Sequence, residues 1–227
     1  MAISFDAGSA ATNQSESATS LTINVTVPSG ATLLALAFLG AEASGSFTAV
    51  WNGSESMTSV ITASVSNYHS ELFCLFNPTA GSHSIVVSAS SAASIMLGAA
   101  GAYLGTHTSM ESGTATNTSG AATSITVAQT TVADNAWALS AYVGSANQDP
   151  SVNSGPAVIR AKTHNPTSDF GQVALCDIGP VSPAASVTFD IAAGATASIA
   201  IVAASVAPAS VGGGGVRGGF GLMGVGR

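Results

Sequence analysis

Residues that could do chemistry are few and scattered in this sequence of 227 residues, which contains 11 Asp and Glu, 4 His and 2 Cys. It has no Gly-x-Ser-x-Gly nucleophile elbow, no His-Glu-x-x-His zinc motif, no Cys-x-x-Cys pair and no Gly-x-x-x-x-Gly-Lys-Ser/Thr phosphate loop. The two carboxylates of a glycosidase must meet in one cleft, whereas most of the acids here stand beside turn residues. We therefore expect a protein that is not an enzyme, with no catalytic residues, no cofactor and no metal site.

One histidine and one glutamate have a spacing that a metal site could use. His69 and Glu71 are two residues apart, so a β-strand would place both on the same face. Only one further histidine, His83, follows nearby in the sequence. We interpret the pair instead as solvated polar residues at the edge of a strand.

Two polar loops in the second half of the chain are further candidates. The loop Asn147–Asn153 is rich in the oxygen ligands that Ca²⁺ prefers, but it lacks the EF-hand pattern. His164 and Asp169 flank a second loop, which contains a proline. Turn formation explains the second loop without any ligand, and calcium binding at Asn147–Asn153 stays an open alternative.

The tryptophan at position 51 precedes Asn52-Gly53, a strong signal for a tight turn. An aromatic ring beside a turn on a β-sandwich can stack on a sugar ring, so Trp51 is a candidate glycan contact. The same ring could equally cap one end of the core or pack on a neighbouring subunit.

Apolar patterning predicts β-strands. The segment 21–27 alternates between apolar and polar residues, so its apolar side chains would share one face. Other short runs are apolar on both faces, which suits strands buried on both sides. These runs are 33–39, 72–76, 95–104, 136–143, 173–178 and 199–206. Because 95–104 is rich in alanine, which has low strand propensity, a helix there stays an alternative.

The two halves of the chain resemble each other. The segment 18–23 matches 122–127 at an offset of 104 residues, and Cys74 matches Cys176 at an offset of 102. The sequence therefore predicts two related units of roughly six strands each. The units would cover residues 1–106 and 107–210.

Two such units could form two tandem sandwiches or the two halves of one jelly roll. We favour an all-β fold with a single antiparallel, jelly-roll-like β-sandwich over residues 1–210. The polar segment Thr106–Gly120 would then be a linker or a surface crossover. Cys74 and Cys176 have apolar neighbours, and we expect both to be small buried core residues rather than a disulfide framework.

From Val211 the composition changes to glycine, which supplies 9 of the 17 residues in 211–227. Such a segment has maximal chain entropy and cannot fold alone. It nevertheless contains apolar side chains and two arginines, which a plain spacer would not need. We expect a C-terminal strap that orders against a partner. Its candidate anchors are Arg217, Phe220, Leu222, Met223 and Arg227.

The charge balance limits the partners. Four Lys and Arg against 11 Asp and Glu give a formal net charge of −7. Four cations neutralise too few phosphates for a nucleic-acid binder, and no apolar run reaches the ~18 residues of a membrane helix. The first residues lack the basic and apolar regions of a signal peptide. We therefore expect synthesis in the cytoplasm, with release inside a virus particle as one route out of the cell.

Four parts of the chain share strands and turns with a known group of proteins. They are residues 3–9, residues 50–53 with Met57-Thr58, residues 71–73 with Pro78, and residues 199–208. Together they resemble the jelly-roll or concanavalin-like β-sandwich domains of virion and surface proteins from phages and bacteria. The resemblance covers about residues 3–208 and implies a structural or adhesive part of a virus particle, above all of a tailed bacteriophage. It carries over no active-site residues.

These observations lead us to expect a virion structural protein, in particular a phage capsid decoration (cement) protein. It would act as a homo-oligomer, for example a trimer, on a major capsid protein or another virion protein. A Ser/Thr/Ala/Gly surface with few charges lets many copies pack closely, and oligomerisation would cover the sheet edges. One alternative is a tail-fibre or spike module that recognises host glycan, and a third is a bacterial surface or filament subunit.

Overall fold

The computed structural model describes residues 1–41, 46–167 and 171–210. The regular elements in these ranges are all β-strands, which confirms the predicted all-β fold. In chain order they are β1 (Ser4–Val27), β2 (Ala31–Ala41), β3 (Phe47–Trp51), β4 (Glu55–Val65), β5 (Tyr68–Phe76), β6 (Gly81–Leu104), β7 (Thr106–Thr130), β8 (Ala136–Gly144), β9 (Ser151–Ser154), β10 (Val158–Asn165), β11 (Gly171–Val181) and β12 (Ser186–Pro208). Across the described ranges we find no helix that could span a membrane.

The strands of the described ranges form two six-stranded sheets, and each sheet takes its strands from one half of the chain. The first sheet has the order β1-β6-β2-β5-β4-β3. The second has the order β10-β11-β8-β12-β7, with β9 paired to β12. All of these pairs are antiparallel, as the sequence predicts.

Long strands make each sheet curl over its own interior. In the first sheet, residues 95–104 of β6 pair with β2, whereas residues 85–89 pair with β3. The path β6-β2-β5-β4-β3 therefore returns to β6. In the second sheet, β12 likewise pairs with β8 through residues 199–206 and with β9 through residues 190–192. Among the described residues no pairing joins β9 to β10, so this second path stays open at that point.

Within the described residues, three hydrophobic cores hold the molecule together. The first sheet encloses one core around Trp51 and Phe38, and the second sheet encloses another around Tyr142 and Phe189. The third core lies between the sheets and is rich in leucine, valine and alanine from both. Its members include Leu33, Leu97, Leu139, Val173 and Val202. Burial of apolar surface is the main favourable term in folding, so this shared core makes the two sheets stabilise each other.

The burial pattern explains the two kinds of apolar run. Leu21 and Ile23 are buried, while Thr22 between them is exposed, so β1 has one apolar face there. In β2 both faces are buried. Odd-numbered residues from Leu33 to Leu39 enter the core between the sheets, and even-numbered residues enter the core of the first sheet. A strand needs apolar residues on both faces when each face meets a different core.

The strand pairing corrects one local expectation and decides one open alternative. Thr106–Gly120 is neither a linker nor a crossover but the first part of β7, in which residues 114–119 pair with residues 199–204 of β12. Its Ser, Thr and Gly residues give little apolar signal, so the partner strand rather than local sequence places it. The alanine-rich run 95–104 is strand and not helix, because its two edges pair with β1 and β2.

Candidate functional site

Trp51 ends β3, where the chain turns through Asn52 and Gly53 with φ angles of 51° and 71°. Its side chain is fully buried in the core of the first sheet. The indole Nε1 donates a hydrogen bond of 3.1 Å to the Thr79 carbonyl, and the His83 ring packs edge-on at 5.4 Å between centroids. The predicted glycan contact at Trp51 is therefore wrong, because no face of the ring is open to a sugar. The glycan-binding alternative thereby loses its candidate residue.

His69 and Glu71 share a face of β5, as their spacing predicts. His69 Nε2 lies 3.1 Å from Glu71 Oε2. Ser64 of β4 pairs with His69 across the strands and places its Oγ 3.2 Å from His69 Nδ1. Ser64 is exposed, His69 is partly buried, and Glu71 is only 4% exposed. The interpretation of the pair as solvated residues is therefore corrected, since the carboxylate is buried.

The surroundings of His69 do not form a metal site. His83, the third candidate, lies against Trp51 instead. Within the part of the chain that the structure describes, no group of three or more His, Cys, Asp or Glu could hold a metal ion. The Phe47 ring covers the His69 ring at 5.2 Å between centroids, and a Cβ at Gly40 would clash with that ring. Glycine at position 40 therefore leaves room for the Phe47 ring.

In the loop Asn147–Asn153, two basic side chains of β10 bind the carboxylate of Asp149. His164 Nδ1 lies 2.8 Å from one oxygen, and Lys162 Nζ lies 3.6 Å from the other. The hydrogen bond from His164 is the main reason that the pKa of Asp149 is lowered. A calcium ion would have to displace both basic groups, which argues against calcium in this loop. Asp169, the other candidate of this region, lies outside the described residues.

The two cysteines occupy different cores, so they are not equivalent. Cys74 lies in the core between the sheets and pairs with Ala35, whereas Cys176 lies in the core of the second sheet and pairs with Ser140. At the offset of 104 residues, Ala35 corresponds to Leu139 and not to Ser140. The predicted cysteine match is therefore one residue out of register, although both cysteines are buried as expected.

We expect both thiols to be unreactive in the native protein. Burial raises the pKa of Cys74 to about 12 and that of Cys176 to about 12, and the thiolate is the reactive form. Titration with Ellman's reagent at pH 8 should detect no thiol in native buffer and two per chain in guanidinium chloride. Rapid reaction of one thiol in native buffer would contradict the burial.

A polar cluster that sequence reasoning missed adjoins the core between the sheets. Arg160 Nε donates a hydrogen bond of 2.6 Å to Asp177 Oδ2, and the Tyr103 hydroxyl donates one of 3.1 Å to the same oxygen. The guanidinium lies 4.9 Å from the Phe5 ring centroid and 5.5 Å from that of Trp137. These five residues, here called the Arg160 cluster, join β1 and β6 of the first sheet to the second sheet.

Burial dominates the electrostatics of Asp177. Its side chain is 1% exposed, and burial raises its pKa above the usual aspartate range, although Arg160 and the Tyr103 hydroxyl lower it. Arg160 and Asp177 are 17 positions apart on neighbouring strands, and a register shift between Ile159 and Ala161 hides their pairing in the sequence. An arginine in a strand, in a chain with only four Lys and Arg, was the signal that could have found the cluster.

The long strands β1 and β7 present uncharged polar faces. β7 has no charged residue from Ser112 to Thr130, and β1 has none from Ser17 to Val27. On β1 a hydroxyl group bonds across to β6, from Thr26 Oγ1 to Ser82 Oγ at 2.8 Å.

Comparisons with known protein families, curated proteins and solved structures find no match to this chain. Its function therefore has to be inferred from its own residues.

Proposed function

We propose that this chain is a virion structural protein that decorates a phage capsid as a homo-oligomer, bound to a major capsid protein or another virion protein. The observation that carries the proposal is the uncharged polar face of β7 between Ser112 and Thr130. Copies on a lattice bring identical surface patches together, so charged patches would repel at symmetric contacts. A face of hydroxyl groups avoids this repulsion and still offers hydrogen bonds to neighbours.

The charges on the described residues support a protein partner rather than a nucleic acid. Arg160 and Lys162 are each paired with an acid of the same chain, Asp177 and Asp149. Binding to phosphates depends on Lys and Arg side chains that are free to replace counterions. We therefore infer contacts made through backbone, hydroxyl and apolar groups.

We also propose that the two sheets arose by duplication of one six-stranded unit. Asn13 Nδ2 donates to the Thr22 carbonyl, and Asn117 Nδ2, 104 residues later, donates to the Thr126 carbonyl. Each of these side chains also accepts a hydrogen bond from the next backbone N–H. The same bridge at the same offset supports a common origin. Two related units in one chain would double its contacts with a lattice and so strengthen attachment.

In this proposal the segment 211–227 is the strap that fastens the protein to its neighbour. Its anchors Arg217, Phe220, Leu222, Met223 and Arg227 lie outside the described residues. The Met1 amino group donates to the Ala209 carbonyl at 3.1 Å, so the strap would leave the molecule beside residue 1. Glycine-rich backbone can approach a partner closely, and apolar side chains can then fill its pockets.

Truncation after Ser210 tests the strap. We expect residues 1–210 to fold, because they include the three cores formed by the described residues, but to lose attachment to particles. Particles that lack the protein are mixed with the full chain or with residues 1–210 and then sedimented. The full chain should pellet with the particles, and the truncated chain should stay in solution. Equal pelleting of both proteins would contradict a role for 211–227 in attachment.

Particle composition tests the structural role itself. Virus particles from the source of this sequence should contain the protein in a copy number that matches a capsid lattice. Chymotrypsin is the protease to use for mass spectrometry, since four Lys and Arg give few tryptic peptides. Light scattering of the purified full chain should give a mass above that of one chain. Absence from purified particles would overturn the proposed function.

A further inference from the structure

One cluster outside the proposed contact surfaces connects a buried carboxylate to an exposed hydroxyl. It consists of Ser64, His69 and Glu71, here called the Ser64 relay. Ser64 Oγ lies 3.2 Å from His69 Nδ1, and His69 Nε2 lies 3.1 Å from Glu71 Oε2. We propose that Ser64 is a nucleophilic serine that accepts the acyl group of small activated carboxylic esters. This proposal does not depend on the structural role described above.

A single tautomer of His69 satisfies both hydrogen bonds of the relay. With its proton on Nε2, the imidazole donates to the Glu71 carboxylate. The lone pair of Nδ1 then faces Ser64 and accepts the hydrogen bond of the hydroxyl. A base within hydrogen-bond reach of a hydroxyl, itself oriented by a third group, is the general arrangement that activates a serine.

The relay runs from a buried acid to an exposed hydroxyl, which suits a nucleophilic serine. Glu71 is 4% exposed and the His69 side chain is 26% exposed, whereas Ser64 is open to solvent. The Phe47 ring lies against the imidazole at 5.2 Å between centroids and restricts its rotation. The base is therefore held in place while the hydroxyl can be reached by a small ester.

The proposed step is an acyl transfer to Ser64. The Oγ attacks the carbonyl carbon of the ester, and Nδ1 of His69 takes the hydroxyl proton. The bond from the carbonyl carbon to the leaving oxygen breaks, and that oxygen departs with its electron pair and receives the proton from His69. Water then attacks acyl-Ser64 and releases the carboxylic acid, which restores the hydroxyl.

The second sheet provides a natural comparison. At the register position of His69 it carries Gln172, and at that of Glu71 it carries Ala174. The same strand arrangement therefore accommodates glutamine and alanine at these positions. His69→Gln and Glu71→Ala are for this reason the substitutions that should disturb the relay and keep the fold, which circular dichroism and urea unfolding would check.

The experiment treats the full chain with p-nitrophenyl acetate and measures released p-nitrophenolate, intact mass and the acetylated peptide. We expect one acetyl group, on Ser64, when the reaction is stopped before water removes it. His69→Gln should slow acetylation about tenfold or more. Loss of a general base usually costs about 100-fold or more, and we expect a smaller loss here because the relay is partly solvated. Glu71→Ala should also slow it, and Glu71→Gln, which keeps an acceptor oxygen, should restore most of the rate. Ser66→Ala, two residues away, is the matched control with an unchanged rate.

Three outcomes would overturn the proposal. The first is an unacetylated Ser64 in the wild-type chain with no release of p-nitrophenolate above that of Ser64→Ala. The second is acetylation of Ser64 at the wild-type rate in His69→Gln. The third is acetylation only at other nucleophiles, such as Lys162, with Ser64→Ala unaffected. Ser64 is exposed, so Ser64→Ala should fold normally and keeps the test valid even where a variant at a buried position does not fold.

Discussion

Replacing Trp51 with alanine is expected to lower the free energy of unfolding by about 3–5 kcal/mol. The side chain is completely buried in the core of the first sheet, and its truncation leaves a cavity that neighbouring residues fill only in part. The substitution also removes the donor to the Thr79 carbonyl. Because domains are usually stable by only about 5–15 kcal/mol, this loss is a large part of the total.

Urea unfolding followed by circular dichroism measures this loss without relying on tryptophan fluorescence. Trp51→Phe is the matched control, because it keeps an aromatic ring in the core and loses the hydrogen bond to Thr79. Its expected cost is about 1–2 kcal/mol. Unchanged stability of Trp51→Ala would show that the ring contributes nothing to the core and would return Trp51 to the candidates for glycan binding.

Strands could be predicted wherever apolar residues follow a period of two or fill both faces. Leu21 and Ile23 fix the inward face of β1 by their spacing alone. The doubly apolar run from Leu33 to Leu39 correctly predicts burial on both sides. The sequence could not say that one of these faces meets the other sheet, because that depends on how two separate sheets pack.

The direction of Trp51 could not be predicted from its neighbours. The Asn52-Gly53 turn fixes where β3 ends, but the face on which Trp51 lies depends on the register between β3 and β6. In that register Trp51 pairs with Ile85, and its side chain enters the core. Register is a property of two strands that are distant in sequence, so local turn chemistry gives no information about it.

Side-chain contacts between distant strands were equally hidden. Glu16 accepts hydrogen bonds from Asn165 and Thr167, which lie about 150 positions later in the chain. The His69–Glu71 contact could be predicted because both residues are on one strand, two positions apart. Ser64 joins them only through the pairing of β4 with β5. Contacts within one strand are therefore visible in sequence, whereas the partners of a contact across strands are not.

Replacing Arg160 with methionine is expected to cost about 3 kcal/mol of folding free energy at neutral pH. Methionine keeps an unbranched, polarisable side chain beside the rings of Phe5 and Trp137. It leaves the carboxylate of Asp177, 1% exposed, without its cation. An uncompensated buried charge is the reason that removing one partner of a buried ion pair is expensive.

Because the pKa of Asp177 is raised, the stability lost in Arg160→Met should depend on pH. The native carboxyl group holds its proton more tightly than the unfolded chain does. It therefore stabilises the fold below the ordinary aspartate pKa, and this contribution is lost as pH rises through the raised value. The stability deficit of Arg160→Met should shrink as the pH is lowered to about 4, because a protonated Asp177 needs no cation. A deficit that is constant with pH would contradict a role for the buried charge.

Asp177→Asn separates the charge from the packing. It keeps an acceptor for the Tyr103 hydroxyl and leaves Arg160, whose side chain is 24% exposed, in reach of water. Its stability should lie within about 1 kcal/mol of the wild type, because neutral replacement of a buried ionic group is often tolerated. Arg160→Met/Asp177→Asn should regain most of the stability that Arg160→Met loses, and urea unfolding of all four proteins gives the coupling energy. If the double variant stays as unstable as Arg160→Met, the guanidinium stabilises the fold through the Phe5 and Trp137 rings and not by compensating Asp177.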